Sequence, residues 1–254
     1  MITKERMNSL KKTARIADIS LRKAARAAGF GLLIMFPLGI FAILVVISSL
    51  IVEGDAATTV NNIKANQLLF WIGIASYLII LALDVVVALA LYVVLKPVNK
   101  SLSLLAAVFR LLYTAIMGIS LLALVLLFID AYSYGLLIAY IFFISHLFVL
   151  GYVVFKSGYI PRSLGVLLII ASFSYIITLY GHFFIPKELY DPLYMIAMLP
   201  ATISEISLGL WLLLKGAKIP EMKDQDETPA EKTEAKTEEK PAETPKPKVK
   251  KDEE

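Results

Sequence analysis

The chain has no cysteine and only two histidines, His146 and His182, among its 254 residues. Without cysteine there is no disulfide, no thiolate nucleophile and no cysteine metal site. The two histidines fall in different apolar runs and at different depths, which argues against a zinc hydrolase. GxSxG, HExxH, P-loop and GxGxxG patterns are all missing. No catalytic motif is present, and no cofactor is called for. Ser145 and His146 are neighbours in sequence, so on a helix they point to different faces and do not form a dyad. Nor does any soluble core remain once the long apolar runs are set aside.

Those runs dominate what is there. Hydrophobic residues make up 58% of the chain, above the roughly 45–50% of a soluble domain. They are gathered in stretches of about twenty residues or more, the length that crosses roughly 30 Å of hydrocarbon. Six spans are expected, near residues 30–52, 67–95, 101–129, 136–155, 163–185 and 193–214, the first bent at Pro37. Between them lie a polar loop at 53–66, the turn Lys96-Pro97-Val98-Asn99-Lys100 with Ser101 as N-cap, and a return loop over 130–135. The fold class is all-α: a polytopic membrane bundle of six helices.

Charge separates the two faces of that bundle. Lys96, Lys100, Lys156, Arg162, Lys215 and Lys218 share one side with the N-terminal arm, while Lys64 and Lys187 on the other side are outnumbered by Glu53, Asp55, Glu188 and Asp191. By the positive-inside rule both termini are cytoplasmic, and the expected location is the cell membrane. Trp71, Tyr132, Tyr134, Tyr180, Tyr190 and Tyr194 are expected at the outer interface, and Tyr92, Tyr152, Tyr159 and Trp211 at the inner one.

The ends differ from the middle and from each other. Residues 1–28 carry eight basic side chains against Glu5 and Asp18. They read as a basic amphipathic arm that lies on the membrane and attracts anionic lipid headgroups. Nucleic acid is not an expected partner, because no folded domain remains to present the charge. Residues 29–216 form the six-helix transmembrane domain. Residues 217–254 hold almost no bulky apolar side chain and read as a disordered charged cytoplasmic tail, a solvated spacer or a docking segment for a protein partner.

Four ionisable residues interrupt the spans. Counted from the cations at the basic side at about 1.5 Å per residue, Asp84 lies about 18 Å deep, and Arg110, His146 and Glu205 about 15 Å deep. Half the hydrocarbon thickness is about 15 Å, so four helices each bring one such group to a single level. A charge at that depth costs about 2.5–3.5 kcal/mol on insertion scales, and Asp84 and Arg110 are expected to face each other across their hairpin. Glu205 is then left with His146 as its titrating partner, an arrangement suited to a proton relay or to a cation or acid-binding site. Small and hydroxyl-bearing residues share the faces concerned: Ser103, Ala106, Ala107 and Tyr113 with Arg110; Gly73, Ser76 and Tyr77 with Asp84; Ala201, Thr202 and Gly209 with Glu205. The equally weighted alternative is a purely structural pair that fixes how the helices pack.

Several stretches resemble a known family. KTARIA at 12–17, EGDAATTVNNI at 53–63, LYVVLKPVNKSLSLLAAVFRL at 91–111, SHLFVLGYVVFKSGYIPRSLGVLL at 145–168 and SEISLGLWLLLKG at 204–216 resemble the multi-pass prokaryotic membrane proteins grouped as domain-of-unknown-function family 4386. The likeness is most specific in the turns KPVN and KSGYIPRSLG, and it departs where DISLRKAARAAG precedes the first span. It implies an integral membrane location and about six helices, and brings no activity or site residues with it. Three functions are therefore weighed: small-solute or proton-coupled transport through the midplane site, a non-catalytic scaffold or sensor subunit, and an intramembrane lipid-modifying enzyme.

Overall fold

A computed structural model of the chain describes residues 20–52 and 54–216. Residues 1–19 of the expected surface arm and the whole of the expected tail at 217–254 lie outside the described residues. Everything between is helix and short turns: α1 Leu21–Leu50, α2 Ala56–Ala65, α3 Gln67–Leu95, α4 Lys100–Val125, α5 Ile129–Lys156, α6 Arg162–Phe184 and α7 Lys187–Lys215. All except α2 are long and apolar enough to cross a membrane. Their outward faces carry large apolar side chains such as Phe30, Leu44, Leu78, Ile119 and Leu199. Such a surface suits lipid, where each backbone polar group must find its partner within its own helix.

The six long helices close into a ring in chain order. Each packs on its neighbour, α1 on α3, α3 on α4, α4 on α5, α5 on α6 and α6 on α7, and α7 returns to α1. The last contact brings both ends of the described chain to one side, where a Cβ on Gly216 would meet that of Ala25 at 2.7 Å. This end also carries Lys96, Lys100, Lys156 and Arg162, and is called the basic end below; the opposite end is the far end.

Lipid tails are as apolar as the side chains, so these helices associate through close packing, and small residues set how close they come. A Cβ on Gly151 of α5 would sit 2.8 Å from the carbonyl oxygen of Gly165, and one on Gly165 of α6 would sit 2.6 Å from the Phe155 nitrogen. The two backbones are in direct contact there. Gly29 meets the backbone of Leu213 and Gly209 in the same way, joining α1 to α7.

Several boundaries differ from those expected, each for a local reason. The helix beginning at Leu21 runs unbroken through residue 28, and Ala24, Ala25 and Ala28 are buried. Residues 21–28 therefore continue the first span and pack on α7; they do not form a separate surface segment. Pro37 sits inside regular α-helix, and the irregularity falls at Ala42–Ile47, which is π-helical. The loop expected over 53–66 holds α2, capped by Asp55, whose carboxylate accepts from the Thr58 amide at 2.9 Å and from its hydroxyl at 2.6 Å. These bonds hold the Asp55 carboxyl below its ordinary range. Thr59 and Asn62 of α2 bond the backbone of Val52 and Leu50, which ties the loop helix over the end of α1.

Asn99, not Ser101, caps α4, accepting from the Leu102 amide at 2.9 Å. The return after α4 is tighter than expected: Leu127 takes φ 61°, so α5 already begins at Ile129 and residues 130–135 are helical. The sixth span likewise starts earlier, at Lys187, and passes through Pro192 and Pro200.

Among the expected interface aromatics, Trp71, Tyr134, Tyr152 and Tyr194 are exposed. Tyr132 is buried, because α5 starts early and turns it into the bundle. Tyr159, in the basic-end loop between α5 and α6, donates to the carbonyl of Val94 at 2.5 Å. The KSGYIPRSLG turn is thus tied to the last turn of α3, and burial pushes the Tyr159 phenol up to about 12, keeping it a donor at neutral pH.

Candidate functional site

Arg110 is the hub of the interior. Its Nε donates to Asp84 Oδ1 at 2.8 Å, and Nη2 reaches the same oxygen at 2.5 Å. Nη1 lies 3.2 Å from His146 Nε2 and 4.0 Å from Glu205 Oε1. The guanidinium also stands 5.6 Å over the Phe143 ring. Side chains from α3, α4, α5 and α7 therefore meet at one level inside the ring, with Asp84, Arg110 and His146 each no more than 2% exposed.

Helical register accounts for the convergence. Arg110 points along the face of α4 that carries Ser103, Ala106, Ala107 and Tyr113, all buried. Asp84 lies on the buried face of α3 with Gly73, Ser76 and Ala88. A Cβ on Gly73 would meet the Val46 side chain, so that face is held tightly against α1. On α7, Glu205 lies between Pro200, which has no amide to give its helix, and Gly209, packed against Leu32 and Leu33 of α1.

The hydrogen bonds assign His146 a state. Its Nδ1 is 2.8 Å from the carbonyl oxygen of Ala106, a group that can only accept, so Nδ1 carries the hydrogen. Nε2 faces an Arg110 N–H, which can only donate, so Nε2 accepts. The ring is the neutral Nδ1–H tautomer. It is thereby taken up by Arg110 and Ala106, and the charged partner of Glu205 is Arg110, 4.0 Å away, in place of the titrating His146 that was expected.

Glu205 is the member of the group that is not fully engaged. Its Oε1 is buried without a hydrogen bond, a state it shares among the described residues only with Ser103 Oγ. Its side chain as a whole is 28% exposed, against 2% for Arg110. An aromatic layer covers the cluster on the far side. Tyr113, Tyr140, Phe143 and Tyr175 pack with ring centroids 4.7 to 5.9 Å apart.

Of this layer, Tyr140 and Tyr175 escaped the sequence reading. The available signal was depth, since a tyrosine midway along a span is far from either interface, where its hydroxyl would be solvated.

The arrangement does not suit a metal ion. Among the described residues no three acidic or histidine side chains are placed to hold one, and Arg110 occupies the position between the carboxylates that a cation would need. The side chain of His182 lies outside the described residues.

Six apolar helices closed around a buried ionic cluster define a multi-pass membrane protein of the all-helical class. Residues 27–127 and 122–216 match the family described as domain of unknown function DUF4386, and the chain belongs to that family. It is also similar to an uncharacterized protein of Archaeoglobus fulgidus, 39% identical over 155 residues, which span 59% of this chain and 86% of the relative. No solved structure matches the chain significantly.

Proposed function

We propose that the protein is a small proton-coupled carrier in which Glu205 is the group that gains and loses the proton. Asp84, Arg110 and His146 are its fixed counter-ion assembly. The observation that carries this reading is the contrast within one cluster: three members are enclosed and bonded, while Glu205 has a buried oxygen without a hydrogen bond and a partly open side chain.

Charge arithmetic agrees with it. Arg110 balances one carboxylate, so an ionised Glu205 leaves the layer with one negative charge in excess, and a single proton restores neutrality. An anionic solute fits poorly, because the Arg110 donors already face Asp84 and His146. Intramembrane ionisable groups of this kind are the usual markers of ion and proton pathways.

In this reading the basic end faces the cytoplasm of a cell membrane, from the bias of lysine and arginine, and the basic residues that precede the first span contact anionic headgroups. The test is proton uptake by proteoliposomes under an imposed pH gradient. Wild-type protein should acidify the vesicle lumen, and Glu205→Gln should lower the rate at least tenfold. Equal rates in the two proteins overturn the proposal.

A further inference from the structure

The ring of helices is closed in one half only. Near the basic end α1 and α7 are in close contact: a Cβ on Gly29 would sit 2.7 Å from the Leu213 nitrogen, and one on Gly209 would meet Leu32 at 3.1 Å. Gly39 lies two turns beyond Leu32 on the same stripe of α1, and a Cβ there would meet nothing within 4 Å. Ile40 beside it is 43% exposed. α7 changes at the same height. Between residues 201 and 216 it buries Ala201, Ser204, Leu208, Gly209, Leu212 and Gly216, whereas Ala197 is the sole buried side chain among those described from 188 to 200. Tyr194, three turns before Glu205 on the same face, is 40% exposed.

Each of the two helices is drawn to its other neighbour. The π-helical turn Ala42–Ile47 of α1 packs on α3, where a Cβ on Gly73 would meet the Val46 side chain. Pro200 withholds an amide from α7, and before it Tyr190 donates to the carbonyl of Thr178 on α6 at 2.8 Å. α1 and α7 thus part beyond Gly209. They leave a cleft, walled on the α1 side by Phe36, Gly39 and Ile40, that opens on the hydrocarbon of the far leaflet. Glu205 stands at its inner end, one turn past Gly209 on the α7 stripe that faces α1. Its Oε1 is enclosed beside Arg110, so the 28% exposure of the side chain belongs to the rest of the group.

Such a cleft admits a molecule already dissolved in the bilayer, and the carboxylate at its end decides what head that molecule must carry. An ionised Glu205 needs one positive charge, which Arg110 does not supply in full, because two of its donors are given to Asp84. We infer that the cleft is the entry for a lipophilic organic monocation, an ammonium group on an apolar body, which comes sideways from the far leaflet and takes the place of the proton on Glu205. The ammonium approaches from the side turned away from Arg110. The Glu205 O–H breaks as it arrives, the proton leaves to water, and the layer stays neutral. This rests on Glu205 being the proton-exchanging group. The charged groups that face it are Arg110 of α4 and, behind it, Asp84 of α3; His146 of α5 is neutral. α1 carries charge only in its first two turns, at Arg22, Lys23 and Arg26, and α6 brings Arg162 at the basic end and the phenol of Tyr175 at mid-span.

The test is calorimetric titration of octylammonium into the full-length protein in nanodiscs, with ethylammonium as the same head without the apolar body. Glu205→Gln nanodiscs give the lipid background. Wild type should bind octylammonium above that background, at least tenfold more tightly than ethylammonium and with release of a proton. Gly39→Trp fills the cleft from a position with free space, and should keep the wild-type melting temperature while weakening octylammonium at least tenfold. No binding above background (as when a lipid tail fills the cleft), equal affinity for the two amines, undiminished binding by Gly39→Trp, or a lowered melting temperature in that variant overturns the inference. Proton uptake by proteoliposomes separates it from the reading beneath. Uptake that still depends on Glu205 leaves the carrier standing, and equal uptake in wild type and Glu205→Gln overturns both.

Discussion

The Nδ1 of His146 donates to the carbonyl of Ala106, one helix away, and so turns Nε2 towards Arg110 as an acceptor. A backbone carbonyl thus determines how a side chain on the next helix meets the buried cation. This gives a direct spectroscopic expectation. In nitrogen-15 spectra of the protein in micelles at neutral pH, His146 should show Nδ1 protonated and Nε2 bare. His146→Phe, which loses both contacts and leaves donor and acceptor unsatisfied, should lower stability by about 1–3 kcal/mol. A protonated Nε2 would contradict the assignment.

Breaking the central pair from one side should be far worse than removing it whole. Arg110→Leu leaves the Asp84 carboxylate buried without its cation, a change that costs about 3–5 kcal/mol. Replacing both Asp84 and Arg110 by leucine removes the unpaired charge along with the pair, and should recover much of that loss. Unfolding by titration with a denaturing detergent measures both. A double variant less stable than Arg110→Leu would refute the pairing as the source of the cost.

The backbone contact between α5 and α6 predicts a sharp contrast among glycines. Gly151→Ala and Gly165→Ala each force a methyl against backbone atoms at under 3 Å, and overpacking of this kind costs about 1–3 kcal/mol. Gly118→Ala meets only the Leu81 side chain at 3.7 Å, ordinary contact, and should be close to neutral. Thermal melting in micelles separates the three, and equal melting temperatures would rule out the close approach.

At the far end, Asp55 links pH to the loop helix. Its carboxyl is held below the ordinary value of 3.8 by the Thr58 hydroxyl and amide. A lowered folded value means that the cap is fully effective above about 4, and that its contribution is lost as pH falls through the folded value. Hydrogen exchange at the Thr58 amide should therefore remain protected at neutral pH and become faster below that point, after correction for intrinsic rates. Asp55→Ala should be unprotected throughout. Protection unchanged down to pH 2 would show that the cap does not hold the helix.

How much of this could be read beforehand depends on the physical signal each feature leaves. The six spans were legible because an apolar run of membrane length has few alternatives, and register put Arg110 and Asp84 on small-residue faces. Partner choice was not legible. Whether Glu205 faces His146 or Arg110 depends on how α5 and α7 sit across the ring, which no single helix encodes. The early start of α5 was hidden because Asp130, Ser133 and Gly135 resemble a loop, while Leu127 absorbs the reversal at positive φ without a glycine. α2 was hidden for a related reason: its stability comes from the Asp55 cap and from bonds to Val52 and Leu50, long-range contacts that its polar composition does not announce.

The hairpin of α3 and α4 also has a consequence for biogenesis. Translation delivers Asp84 first and Arg110 26 residues later, so the carboxylate is already present when the guanidinium reaches the insertion machinery. His146 emerges 36 residues after Arg110, and Glu205 later still. The most hydrocarbon-averse side chain of the chain therefore never has to wait in lipid for a distant partner. Among the described residues, the Asp84–Arg110 bond is one that the nascent polypeptide can make before His146 and Glu205 have been synthesised.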